Sequence, residues 1–204
     1  MQLSVRHPGR NALNHTTSVR LRIIAVMGLV AVMLCPSVRA QSEQPGEYQL
    51  KAAFLFNFAK FVDWPPGTFA TADSPFTICI LGQDPFGHEL EDSLRGKTIA
   101  TRPILVRRCQ SDAEARACQI LFVSRSQNRQ MPDILQGLRG INVLVVGESE
   151  GFAAGGGTIE FVLEQDHIRF RINPDAAARA GLTISSKLLA LATIVHDGSN
   201  NGKY

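Results

Sequence analysis

The chain has 204 residues, 45% of them hydrophobic, with 21 Lys and Arg against 18 Asp and Glu, a formal net charge of +3. Five of the arginines and none of the acids fall in residues 1–40, so residues 41–204 carry 16 basic and 18 acidic side chains, net −2. That sign gives no footing for a nucleic-acid binder, and the length suits one domain with an ordinary hydrophobic core.

Residues 1–40 read as a signal peptide. Arg6, Arg10, Arg20 and Arg22 precede an apolar run, Ile23 to Leu34, that is too short to span a bilayer comfortably. Pro36 breaks the run, and Val38-Arg39-Ala40 puts small residues at −3 and −1 for cleavage before Gln41. The expectation is an exported, periplasmic protein with a short mobile segment at 41–46, one domain at 47–195 and a disordered tail at 196–204.

The first helix is expected within YQLKAAFLFNFAKFVDWPP, residues 48–66. Leu50, Phe54, Leu55, Phe58, Phe61 and Val62 recur at helical spacing and predict its core face. Phe56 falls about 200° from Phe54, beside Ala52, Ala59, Lys60 and Asp63. That second aromatic surface reads either as a contact for a partner or a second copy, or as a face covered by the turn-rich link at 67–75.

Strands are predicted at Phe76–Leu81, Ile104–Val106, Ile120–Val123 and Val143–Val146, each a short apolar run. Helices are predicted between them at Pro85–Leu94, Asp112–Ala117 and Ser126–Leu138. The alternation implies a mostly parallel sheet covered on both faces. Thr158–Leu163 and His167–Ile172 instead alternate apolar and polar, as an antiparallel hairpin does. A two-residue loop at Gln165-Asp166 sets Phe161 opposite Phe170 and Glu160 opposite Arg171. Two closing helices follow, one with Asn173 as N-cap, Pro174 behind it and Gly181 past its end. The other is capped by Ser185, with Leu188, Leu189, Ala192 and Val195 as its inner stripe. The expected fold is α/β, a single three-layer domain with the hairpin at one edge of the sheet.

Three cysteines lie beyond the leader, Cys79, Cys109 and Cys118. In an oxidising compartment one disulfide and one spare thiol are expected. Cys79 and Cys118 sit in or beside neighbouring strand-like runs and are the first choice. Cys109 and Cys118, flanking one short helix, are the less regular alternative.

Chemical motifs are weak. Gly147-Glu-Ser-Glu-Gly151 has the spacing of a nucleophile elbow, with Asp166 or Asp175 and His196 downstream. But Phe152-Ala-Ala-Gly-Gly-Gly157 is a poor helix to follow it, and Glu148 and Glu150 oppose an oxyanion. Gly155-Gly156-Gly157 would need to open a helix to hold a phosphate, and it precedes a strand, where it reads as a flexible turn. His88, His167 and His196 are scattered, so no metal or other cofactor is expected. His167, Arg169 and Arg171 share one strand face. They read either as grips for an anionic partner or as cross-strand partners of Glu160 and Glu164.

The segments KAAFLFNFAKFVDWP at 51–65, ICILGQDPFG at 78–87, GK at 96–97, CQILFVS at 118–124, GFAAGGGTIEFV at 151–162 and RFRINPDAAARAGLTISSKLLALA at 169–192 together resemble the YfiR family of periplasmic regulators. The resemblance implies a non-enzymatic repressor that holds down an inner-membrane diguanylate cyclase through its periplasmic domain. It implies release by sequestration on an outer-membrane, peptidoglycan-binding lipoprotein, with cyclic-di-GMP signalling and biofilm formation as the output. It agrees with the Cys79–Cys118 pairing, while a second family disulfide near 147–157 has no cysteines here. Phe56, Lys60 and Trp64 are expected as one partner-binding patch, and Arg169 and Arg171 as another. The alternative is a sensor of an anionic or aromatic small molecule, held near the carboxyl ends of the parallel strands by the loops after Leu81 and Val146.

Overall fold

The computed structural model describes residues 46–198. The leader, residues 41–45 and the last six residues of the expected tail lie outside the described residues. Helix α1 (Glu47–Phe61) runs into β1 (Val62–Asp63). Strands β2 (Phe76–Leu81), β5 (Ile120–Val123) and β6 (Leu144–Gly147) are buried along their whole length, as continuous apolar runs in a sheet covered on both faces must be. Around them come α2 (Glu89–Leu94), β3 (Thr98–Ile99), β4 (Arg102–Cys109), α3 (Asp112–Ala115) and α4 (Met131–Gly137). The chain closes through β7 (Ile159–Glu164), β8 (His167–Ile172), α5 (Pro174–Arg179), β9 (Thr183–Ile184), α6 (Ser186–Leu189) and β10 (Thr193–Ile194).

Eight strands form one sheet in the order β10-β8-β7-β6-β5-β2-β4-β3, and β1 pairs with β9 in a small second sheet. Strands β4, β2, β5, β6 and β7 are parallel. Strand β8 returns antiparallel with Phe161 opposite Phe170 and Glu160 opposite Arg171, the register that the two-residue loop predicts. Gln165 and Asp166 both take positive φ, 50° and 60°, as the tight hairpin turn requires.

Two cores flank the sheet. One gathers Leu55, Phe58 and Ala59 of α1 with Leu90 and Leu94 of α2 against Ile78, Ile80, Phe122 and Ile159. The other puts Ala115 of α3, Ile134 of α4, Leu138 just past its end and the ring of Phe152 against Cys79, Leu121 and Val145. The expected three-layer α/β domain is therefore the observed one.

Local departures have local causes. The helix expected from Ser126 begins as a 3-10 turn, Arg125–Gln130, and becomes α-helical only at Met131. Pro132 stands in the first α-turn, where its missing N–H costs no hydrogen bond. The helix expected from Pro85 starts at Glu89 because Asp84 accepts the Phe86 N–H at 2.7 Å and holds a turn. The last helix stops at Leu189; β-branched Thr193 and Ile194 form β10 beside β8 instead. Helix α5 has the expected ends. Asn173 accepts the Ala176 N–H, and Gly181, at φ 69°, lets the Leu182 N–H return to the Ala177 carbonyl.

Three residues placed in the expected disordered tail, His196, Asp197 and Gly198, are instead held against the domain. His196 pairs with Asp175 at 2.7 Å, Asp197 binds Arg179 and Asn173, and the Gly198 N–H donates to the Ala154 carbonyl. The guanidinium of Arg179 holds the Asp197 carboxyl below its ordinary pKa.

Cys79 and Cys118 form a disulfide with Cα atoms 6.0 Å apart, and Cys109 is a buried free thiol. In a Cys109→Ser background, Cys79→Ser should lower the unfolding free energy by ~2–4 kcal/mol. Urea denaturation followed by circular dichroism checks this; an unchanged midpoint contradicts it.

Candidate functional site

Helix α1 sits deeper than its phenylalanine spacing implies. Its buried residues are Lys51, Ala52, Leu55, Phe58 and Ala59, an arc centred on Leu55 and bounded by half-buried Phe54 and Phe56, which lie about 200° apart. Phe56 therefore marks one shoulder of a single wide buried face and packs on the same core as the rest. This corrects the expectation that it stands on a separate outer surface. Leu50 and Phe61, expected inside, are instead 40% and 37% exposed. A helix resting on the sheet and flanked by α2 buries more than one stripe.

Within that buried arc lies a charge. The Lys51 side chain is 3% exposed and its Nζ meets Glu148 Oε2 at 2.5 Å, with Glu148 2% exposed. Glu47, one turn earlier, is a second partner. The Tyr48 hydroxyl donates to Glu148 at 3.3 Å, and Lys51 Nζ lies 4.5 Å from the Tyr48 ring centroid. Burial first, then the charges of Glu148 and Glu47, push the Tyr48 hydroxyl from 10.0 up to about 12. Glu148 directly follows β6, so this cluster pins the start of α1 to the carboxyl edge of the sheet.

Two cavities open around the cluster. One of about 430 Å³ is lined by Arg125, Asn128, Glu148, Ser149, Glu160, Phe161 and Arg171. Its neighbour, about 210 Å³, is lined by Tyr48, Gln83, Asp84, Ser124, Arg125, Ser126 and Glu148. The parallel order β4-β2-β5-β6-β7 reverses direction between β2 and β5, and loops leaving adjacent strands on opposite sides create a crevice there. Gln83, Ser124 and Arg125 stand at that crevice.

The loop from Gly147 to Gly157 forms one wall and is neither a nucleophile elbow nor a phosphate cradle. A Cβ on Gly147 would come within 2.5 Å of the Phe152 ring, and one on Gly157 within 2.2 Å. These glycines make room for a buried aromatic ring. The Glu160 carboxylate, held by Arg171 at 3.1 Å, accepts the N–H groups of Gly151 and Ala153. The loop reads as a flexible turn only until that carboxylate is placed. Ser149 lies beyond the end of β6, whereas His196 and Asp175 follow β10 and β8, which run the other way. The serine and the His–Asp pair thus sit at opposite edges of the sheet, and no triad assembles.

The remaining expected residues fall in two places. Lys60 and Trp64 line a cavity of about 400 Å³ with Phe69, Phe76, Ile99 and Arg102, and Lys60 and Lys97 both approach the Phe56 ring, at 5.5 and 4.8 Å. Trp64 stacks edge-on to Phe76 at 5.0 Å, and its Nε1 is buried with no hydrogen-bond partner among the described residues. Arg169 is exposed on β8, while Arg171 leans into the carboxyl-edge cavity against Glu160. The two patches occupy different parts of the molecule. Sequence reasoning missed Lys51, though a signal existed: a lysine whose helical angle falls between Leu55 and Phe58 must find an anion or leave the core.

A family model described as YfiR/HmsC-like matches residues 48–193. No curated protein matches the chain. Among solved structures, the chain is similar to a conserved domain protein from Vibrio cholerae, with a TM-score of 0.51 at 11% identity, covering 72% of this chain and 60% of that one. It is also similar to the ABC domain in complex with L-Trp from Streptococcus pneumonia, with a TM-score of 0.47 at 12% identity over the same shares. The chain thus spans 60% of the length of each, and at 11% identity the likeness to the first speaks of fold alone.

Removing Lys51 strands a buried carboxylate. Lys51→Met should cost ~3–5 kcal/mol of stability, and adding Glu148→Leu should recover most of it, as measured by urea denaturation. The unfolded chain ionises its tyrosines first, so the Tyr48 contribution is intact below pH 10.0 and is lost as pH rises through about 12. In a Tyr204→Phe chain, ultraviolet titration should place the phenolate midpoint near that upper value; an unshifted midpoint contradicts the burial.

Proposed function

The chain belongs to the YfiR/HmsC-like family of periplasmic regulators, and from that premise we propose that it represses a membrane-bound diguanylate cyclase by binding the cyclase's periplasmic domain. An outer-membrane, peptidoglycan-binding lipoprotein relieves the repression by sequestering it. The observation that carries this reading is the family match across residues 48–193. The protein acts by contact and not by turnover. It holds the sensor domain in its inactive arrangement, and the lipoprotein competes for an overlapping surface. Such competition works only through differential affinity for the two states.

Two patches are proposed as contacts. Lys60 and Trp64 form the first, with the half-buried Phe56 ring backing the Lys60 ammonium. Leu50 and Phe61 are exposed on the Phe54 side of α1, about 120–140° round the helix from Phe56. They widen the candidate contact to that side, because exposed aromatic and aliphatic side chains on a rigid helix are efficient anchors. Arg169 and Arg171 form the second and favour an acidic surface. Self-association through α1 competes with the same contacts.

A second reading is favoured by the cavity of about 430 Å³ at the carboxyl edge. Here the protein senses an anionic or aromatic small molecule, with Arg125 and Arg171 taking its charge. Thermal-shift screening of the purified chain separates the readings: a tight small-molecule hit without any protein partner favours the sensor.

Calorimetry against the periplasmic domain of a diguanylate cyclase encoded beside this chain tests the first reading. Lys60→Glu with Phe61→Asp should weaken binding at least about tenfold, near 1.4 kcal/mol, and leave the melting temperature close to that of the parent. Undiminished binding by a folded double variant removes α1 from the interface, and no binding by the parent sinks the reading.

A further inference from the structure

Cys109 ends β4 on the sheet face that carries the second core. Its row-mates Pro103, Leu105 and Arg107 are exposed, yet Cys109 is 2% exposed. The reason is what lies beside it. Leu81 pairs with Cys109 across β2 and β4, so Cys79, two residues earlier on β2, lies on the same face. Helix α3 then returns the chain to the sheet at Cys118. The Sγ atoms of Cys79, Cys109 and Cys118 all lie within 4.8 Å of one another, and all three residues are buried. The spare thiol is thus packed against the disulfide, close enough for a small side-chain rotation to bring it into reacting contact.

We propose that Cys109 is an internal exchange nucleophile for the Cys79–Cys118 bridge, able to move the disulfide within the chain and to expel a small thiol that has opened it. In the first step Cys109 gives its proton to solvent and its thiolate attacks Cys118 Sγ. The Cys109–Cys118 bond forms as the Cys79–Cys118 bond breaks, and Cys79 leaves as a thiolate that takes up a proton. Two sulfurs remain oxidised throughout, so no oxidant or reductant is consumed. In the second case a small monothiol, as its thiolate, attacks Cys118 and releases Cys79. Cys109 then attacks the mixed disulfide and releases the monothiol unchanged. Exchange runs through the thiolate. Burial first, then the charge of Glu114, raise the Cys109 pKa against the opposing effect of Arg107, so the reaction is slow at neutral pH and gains speed as pH rises.

The test uses the exported chain, folded, anaerobic and with chelator present. Samples held at neutral and at mildly alkaline pH are acid-quenched, alkylated in denaturant and mapped by peptide mass spectrometry without reduction. At first the label should sit on Cys109. At alkaline pH a growing share should appear on Cys79, with a Cys109–Cys118 peptide, at a rate rising about tenfold per pH unit. Glu114→Gln should accelerate it. A label confined to Cys109 while circular dichroism shows an intact fold overturns the proposal. The second arm exposes the chain to reduced glutathione: Cys109→Ser should accumulate the glutathione adduct severalfold above the parent, and equal accumulation in both also overturns it.

Discussion

The Lys51 ammonium has no water to retreat to, and the fold is arranged around that fact. Glu148 meets it from the end of β6, Glu47 from the preceding turn, and the Tyr48 ring covers it. Desolvating two charges costs several kcal/mol each, so the pair is tolerable only when geometry and hydrogen bonds are nearly complete. Completeness here requires α1 to enter the sheet at one depth and one rotation, with its first turn over β6. Leu55 and Phe58 then fall into the core and Phe56 falls at its margin, beside Lys97. An all-apolar helix face would allow several rotations; a buried lysine with one carboxylate allows far fewer.

Much of the scaffold was legible because the signals were local. Four apolar runs of strand length, Asn173 with Pro174, and Gln165-Asp166 between alternating strands each have one good physical solution, and each adopts it. The disulfide was legible because strand adjacency restricts which cysteines can meet. What stayed hidden depended on how elements pack. The depth of α1 is set by α2 and the sheet together, so residue angles alone put Leu50 and Phe61 inside and Phe56 outside. The role of Gly147 and Gly157 is invisible until Phe152 is placed between them. Glu148 looked like a charge flanking a serine because its partner lies 97 positions away.

The loop between β6 and β7 shows how a short irregular segment is made firm without a covalent bond. The resemblance to YfiR proteins implies a disulfide in this region, and the chain has no cysteine there. Glu160 takes two of the loop's N–H groups from below, and Phe152 plugs it from above. Charge-assisted hydrogen bonds to a buried carboxylate and one well-packed aromatic ring supply order that elsewhere comes from sulfur. The loop is therefore held without sulfur, although the core into which Phe152 packs also contains Cys79, Cys109 and Cys118.

The main sheet begins and ends in strands of only two residues, β10 on one side and β3 on the other. Each offers too few free backbone groups to template a foreign strand. For a protein with an exposed leucine and an exposed phenylalanine on its first helix, that brevity has a consequence in a crowded envelope. β3 covers only Arg102 and Pro103 of β4, and β10 only Arg171 and Ile172 of β8, so the longer edges behind them are guarded by charge. Arg107, Arg108, His167 and Arg169 stand exposed along them, which discourages main-chain zippering and leaves association to side-chain fit.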